Sequence, residues 1–189
     1  MAKVEKVTVA GFGGQGVMMI GQMLAYAGND SGYNSLWYPS YGPETRGGTA
    51  NCAVTISEAN INSPVFSKAD SLIILNLPSM DKFINKIKPN GNLFYNSSLI
   101  HNYQIPEGIH AYPIPINEIA IELGNSKIAN MVMMGAYLEV TKLFDNEIIF
   151  QVLENILKDK KDLVNINIEA INYGRRFIKE LGEWNDKNN

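Results

Sequence analysis

Cysteine is nearly missing from this chain. Cys52 is the only one among 189 residues. That excludes an intrachain disulfide framework and an iron–sulfur cluster bound by this chain alone. Histidine is scarce too. His101 and His110 stand apart without metal-ligand spacing, and both are expected on the surface or in loops. No charge of one sign dominates: the net charge is −3, so there is no sequence-wide basic footprint for nucleic acid. No apolar run is long enough to cross a bilayer, and the first residues lack the basic-then-apolar build of a secretory signal. No nucleic-acid or membrane partner is expected, and the expected location is cytoplasmic. There is no Ser-His-Asp order, no paired-carboxylate motif and no metal cluster, hence no self-sufficient catalytic apparatus. Cys52 falls in a predicted strand with no histidine nearby in sequence and is read as buried packing rather than a nucleophile.

What is present is ordinary for a folded domain. The chain is 46% hydrophobic and 19% charged, the balance of a globular protein rather than a disordered one. Its length suits one domain, expected over residues 1–182, with a frayed polar tail at 183–189. Val7 to Ala10 reads as a buried strand, and Val17 to Asn29 as a helix with Val17, Ile20, Leu24 and Ala27 at helical spacing. Ser35–Tyr38 and Ala50–Ile56 read as strands, and Asn60–Ser63 as a short edge strand or turn. Ser71–Asn76, a continuous apolar run, fits a central strand. A helix then runs to Lys86, with Ser79 as the expected N-cap. Asn90-Gly91 turns the chain into a strand at Leu93–Tyr95, and Ala111–Ile114 forms another. From Asn117 the pattern becomes helical: Asn117–Leu123 closed by Gly124, Lys127–Leu143, Glu147–Leu157 and Leu163–Leu181. Strands first and helices last predict an α/β fold. It is expected as a single three-layer domain: a mainly parallel or mixed central sheet flanked by helices, with a helical C-terminal part. Some connections are too short for helical crossovers, which favours a mixed sheet.

Three segments could carry chemistry. The first is Gly11-Phe12-Gly13-Gly14-Gln15-Gly16, between a strand and a helix. Glycines permit close backbone approach, and the helix N-terminus favours negative charge. No Lys-Ser or Lys-Thr follows, and no acidic residue is placed for a ribose. The loop is either a seat for phosphate or another anion, or a tight turn without a ligand. Gln15 could bond a ligand or staple a neighbouring loop. The second is Pro39-Ser40-Tyr41-Gly42-Pro43-Glu44-Thr45-Arg46-Gly47-Gly48-Thr49. Arg46 beside Gly47 and Gly48 suits a bidentate grip on phosphate or carboxylate, and Tyr41 offers a flat face. The alternative is a staple from Arg46 to Glu44 or the backbone. The two loops follow the first two strands and could converge at one sheet edge. The third segment is Ala129 to Tyr137. On a helix, Asn130, Met133, Met134 and Tyr137 share a face, while Gly135 and Ala136 permit close packing. A core helix with one satisfied amide competes there with an interface.

Taken together, these segments resemble the gamma subunit of 2-oxoacid:ferredoxin oxidoreductases. Gly11 to Val17, Ser40 to Gly48, and Ala129-Asn130-Met131-Val132 with Gly135-Ala136 carry the resemblance. Weaker echoes lie at Ala69-Asp70, Leu75-Asn76, Lys88-Pro89-Asn90-Gly91, Asn167, Ala170 and Gly174. The similarity extends from about Val7 to Gly174.

The resemblance implies oxidative decarboxylation of a 2-oxoacid to acyl-CoA and carbon dioxide, with electrons passed to ferredoxin. It implies that thiamine diphosphate, Mg and iron–sulfur clusters sit on alpha, beta and ferredoxin-like partner subunits, and that the isolated chain is inactive. It links the gamma domain to coenzyme A. On that basis Gly13, Gly14, Gln15, Gly16, Tyr41, Arg46, Gly47 and Asn130 are the expected cofactor-binding residues, with no catalytic or metal-binding residue. The loop sequences sit closer to the 2-oxoglutarate and branched-chain members, and 2-oxoglutarate is the expected substrate. The alternatives are a stand-alone nucleotide-binding regulatory module and a purely structural interaction subunit.

Overall fold

The computed structural model describes residues 3–41, 49–158 and 160–188. Six strands form one sheet: β1 (Val4–Phe12), β2 (Asn34–Tyr41), β3 (Thr49–Ser57), β4 (Ala69–Ile74), β5 (Ile87–Asn96) and β6 (His110–Ile114). Six α-helices accompany them: α1 (Val17–Asp30), α2 (Leu77–Phe83), α3 (Ile116–Glu122), α4 (Ala129–Thr141), α5 (Asn146–Ile156) and α6 (Val164–Asn188). The strand order is β2-β3-β1-β4-β5-β6. β1, β4, β5 and β6 pair in parallel, and β3 runs antiparallel between β2 and β1. The mixed α/β sheet expected from the short connections is the one observed.

The alternation along β1 explains the layering. Val7 and Val9 face the larger core with α1, α4, α5 and α6. Ala10 faces the smaller core, built from Leu72, Ile74, Leu93, Met80 and Phe83. β4 reads as a continuous apolar run because both of its faces are covered: Ile73 points into one core, Leu72 and Ile74 into the other.

α4 has no polar stripe. Every residue from Asn130 to Glu139 is buried, so it is a core helix. It meets α6 through a reciprocal glycine contact. A Cβ on Gly135 would stand 2.0 Å from the Ile171 carbonyl oxygen, and one on Gly174 would stand 2.0 Å from that of Val132. At the far end, Glu139 ties the pair together, bonded to Lys142 and within 3.4 Å of Arg175.

Several local expectations are resolved or corrected. Asn60–Ser63, expected as an edge strand or a turn, forms the turn rather than the strand. Ser63 Oγ accepts from Val65 N–H at 3.1 Å, a local turn that competes with ladder bonding beside Pro64. The N-cap of α2 is Asn76, not Ser79: its side chain accepts from Ser79 N–H at 3.0 Å, and Pro78 sits in the first turn. Asn90-Gly91 does not turn the chain. Both residues lie inside β5, with Asn90 at φ 60, where the pairing with β4 shifts register between Ala69 and Ser71. α6 continues past Leu181, where the pattern put its end.

Candidate functional site

The parallel strands β1, β4 and β5 end along one edge of the sheet. That edge is where α/β domains hold ligands. β1 leads through Gly13-Gly14-Gln15-Gly16 into α1. Gly14 adopts φ 94 and Gly16 φ 80, conformations that favour glycine. A Cβ on Gly13 or Gly14 would meet nothing within 4 Å among the described residues. Gly16 caps α1 without a side-chain hydrogen bond, and the first turn carries no acidic residue. The helical ladder begins with Ile20 N–H donating to Gly16 O at 3.2 Å. The amides of residues 17–19 lie ahead of it, which is the arrangement that attracts an anion.

Gln15 works as a staple. Its Oε1 accepts from Phe12 N–H at 2.7 Å and from Asn76 Nδ2 at 2.8 Å. Its Nε2 donates to Leu75 O at 3.3 Å. The glycine loop is thereby tied to the β4–α2 connection. Leu75 O also accepts from Asn96 Nδ2 at 3.2 Å, and Asn96 bonds Asn117 Oδ1 at 3.2 Å. One amide network therefore runs beneath the edge, from β1 to the start of α3.

Asn130 completes the floor. It sits at the start of α4, is 5% exposed, and presses on Gly16. A Cβ there would lie 2.2 Å from Asn130 Nδ2. The start of α4 is thereby packed directly against the start of α1. Gly14, Gln15, Asn130, Asn117, Lys127 and Ile121 help line a cleft of about 210 Å³. Among the described residues no carboxylate lines it.

The structure brings Gly14, Gln15, Gly16 and Asn130 together, with Gly13 in the same loop. Arg46, Gly47 and the Tyr41 side chain lie outside the described residues. Strand register still fixes where their loop leaves the sheet. Ala50 of β3 pairs with Tyr41 on one side and with Gly11 on the other. β1 and β2 thus end at the same edge, two strand spacings or about 10 Å apart.

Two residues at this edge, Asn96 and Asn117, were given no site role by sequence reasoning, and a third, Asn76, stood only as a weak echo of the family. A signal was available, since Asn76 and Asn96 each end a strand-like run just before helix- or turn-forming residues, where side-chain oxygens cap backbone amides. Elsewhere the polar groups have other tasks. Cys52 is fully buried, its Sγ 3.7 Å from Val17 O, and burial pushes the thiol up to about 11. His101 and His110 are exposed. At the opposite end of the sheet, burial pushes the Glu5 carboxyl up; Glu5 accepts from Ser71 Oγ at 2.7 Å and from the Tyr137 hydroxyl at 3.4 Å.

Comparison with known proteins gives these features a context. The family described as pyruvate ferredoxin/flavodoxin oxidoreductase matches residues 6–177. Ketoisovalerate oxidoreductase subunit VorA of Methanothermobacter marburgensis is 35% identical over 177 residues, which are 93% of this chain and 37% of VorA. The 2-oxoglutarate synthase subunit KorC of Methanocaldococcus jannaschii is 31% identical over 181 residues, 94% of this chain and 95% of KorC. The solved 2-oxoglutarate:ferredoxin oxidoreductase from Magnetococcus marinus, with 2-oxoglutarate, coenzyme A and succinyl-CoA bound, is similar at TM-score 0.87 and 27% identity. That match covers 94% of this chain and 31% of the other. The present chain thus spans about a third of VorA and of the Magnetococcus chain, and nearly all of KorC.

Proposed function

Since the chain belongs to the pyruvate ferredoxin/flavodoxin oxidoreductase family, we propose that it serves as the gamma subunit of a 2-oxoacid:ferredoxin oxidoreductase and forms part of the coenzyme A site. The observation that carries this reading is the pairing of a glycine-lined α1 N-terminus, without a side-chain cap, with the Asn130 amide packed against it at the start of α4. Both offer hydrogen-bond donors to an anion. The phosphates of coenzyme A fit that chemistry. Leu75, Ile116 and Ile121 add an apolar wall on the same cleft.

The cleft is about 210 Å³, below the roughly 300–1,000 Å³ of pockets that enclose a whole small molecule. It accommodates only part of so long a ligand. The rest extends toward the 42–48 loop and onto a partner chain, so this subunit supplies one wall of a shared site. Gly13 to Gly16 and Asn130 hold the anionic end, while Gln15 holds the loop's shape. Arg46 and Tyr41 remain candidates for a second phosphate contact and a stacking face, because their loop leaves the same edge.

The reacting groups belong on the partners. One buried cysteine leaves no thiolate set for a cluster on this chain. Thiamine diphosphate with Mg, and the iron–sulfur clusters, are assigned to alpha, beta and ferredoxin-like subunits, with ferredoxin as acceptor. The isolated chain would then be inactive. No described helix is long and apolar enough to cross a membrane, and a cytoplasmic complex is proposed. The 2-oxoacid is 2-oxoglutarate or a branched-chain acid, the two classes that the KorC and VorA names carry.

Affinity purification of the native protein tests the assembly. Co-purification of thiamine- and cluster-bearing chains, with coenzyme A-dependent oxidation of 2-oxoglutarate or 3-methyl-2-oxobutanoate, is the expected result. Recovery of the chain alone, with tight binding of a free nucleotide, would replace this reading with a stand-alone nucleotide module.

A further inference from the structure

We infer that Asn117 is an anion-recognition residue of the cleft and that Asn96 is the positioning residue that fixes its polarity. The inference rests on the coenzyme A reading above and deepens it. Its basis is the direction of the hydrogen bonds, which backbone groups determine without ambiguity.

Asn96 is fully buried. Ser98 N–H donates to its Oδ1 at 3.1 Å, so that atom must be the carbonyl oxygen. Its Nδ2 donates to the Leu75 carbonyl at 3.2 Å, an acceptor that admits only a donor. The second Nδ2 proton reaches Asn117 at 3.2 Å, so Asn117 must present Oδ1 inward. Among the described residues its own Nδ2 donates to no partner, and the residue lines the cleft. A side chain that could point either end outward is thereby held donor-outward.

The surroundings agree in sign. Lys127 lines the same cleft, as do Gly14 and Asn130, and among the described residues no carboxylate does. The backbone of Asn117 is itself anchored, since its N–H donates to Ser98 Oγ at 3.1 Å. Donors and a cation unopposed by a carboxylate among the described residues suit a group that only accepts: a phosphoryl oxygen of the bound thioester carrier. Recognition by Asn117 and Lys127 places that phosphoryl group on the α3 side of the cleft, opposite the glycine loop.

The test uses the assembled complex, with coenzyme A and the 2-oxoacid titrated separately. Asn117→Asp keeps the acceptor that Asn96 needs but turns a donor facing the ligand into a negative charge. It should raise the half-saturating coenzyme A concentration roughly tenfold or more, as expected when a hydrogen bond to a charged group is lost. Asn117→Ala should raise it less, and neither should change the requirement for the 2-oxoacid. Asn96→Asp, which cannot donate to Asn117, should show the same selective rise. Unchanged coenzyme A dependence in both Asn117 variants overturns the inference. Loss of turnover in Asn96→Asp with both requirements intact would make Asn96 structural only. A wild-type complex without saturable coenzyme A dependence would instead sink the underlying functional reading.

Discussion

Asn130 occupies the space that a side chain on Gly16 would need. Its Nδ2 lies 2.2 Å from the point where a Cβ would stand, and its Cβ lies 2.9 Å away. The start of α4 is therefore pressed against the start of α1, over a residue held at φ 80. Two segments 114 positions apart make one donor-rich surface only because position 16 is glycine.

Gly16→Ala should consequently be costly for two separable reasons. A left-handed backbone costs an L-residue about 1–2 kcal/mol, and displacing Asn130 adds an overpacking cost of similar size. Denaturant unfolding should show a loss of about 2–4 kcal/mol. In an Asn130→Ala background the loss should shrink toward the backbone part alone. Equal losses in both backgrounds would mean that the contact contributes nothing.

The α4–α6 crossing makes a parallel prediction. Gly135 and Gly174 each face a carbonyl oxygen of the other helix, and backbone cannot rotate away as a side chain can. Gly135→Ala and Gly174→Ala should each lower stability by about 3 kcal/mol, the upper end for overpacking. The double variant should cost less than the sum, because one separation of the helices relieves both clashes. A thermal-melt series distinguishes this from independent effects.

These contacts show where the sequence was readable. β4 was legible because a strand covered on both faces carries Leu72, Ile73 and Ile74 in an unbroken run. α1 was legible from its single apolar stripe. The glycine loop was recognisable as a possible anion seat. Whether Gln15 faced a ligand or a neighbouring loop depended on Leu75 and Asn76, some 60 residues away, which no local pattern records. Asn96 and Asn117 were invisible for the same reason, since their roles arise from mutual direction across strand ends. The cap of α2 was misplaced because Ser79 and Asn76 are both good caps, and Pro78 in the first turn decides between them.

Cys52 predicts an alkaline dependence. Burial raises its thiol from 9.0 to about 11, so the folded state holds the proton more tightly than the unfolded state does. The associated stability is present below pH 9 and is lost as pH rises from about 9 to 11. Two pH units correspond to about 2–3 kcal/mol. Cys52→Ala should be less stable at neutral pH through lost packing, yet should show a shallower decline over that range. Native protein should also resist alkylation at pH 8 and react on unfolding. Rapid labelling of the folded protein would contradict this placement.

Glu5 predicts the opposite end of the pH scale. Burial raises its carboxyl, against the lowering effect of the Ser71 hydrogen bond. The folded state thus favours the protonated form. That stability is present in acid and lost as pH rises through the folded value. Glu5→Gln keeps an oxygen for Ser71 and Tyr137 but carries no charge. It should stabilise the protein at pH 7, with the advantage fading toward pH 4. An equal difference at both pH values would show that Glu5 ionises without penalty.

On the proposed function, the glycine loop of α1 and the start of α4 form one wall of a coenzyme A site. Hydrogen exchange of the assembled complex, with and without saturating coenzyme A, reads this most directly. Amides of residues 13–19 and 127–131 should exchange more slowly with coenzyme A bound, and should not respond to the 2-oxoacid alone. Unchanged exchange at both segments, in a complex that demonstrably binds coenzyme A, would show that neither segment contacts it.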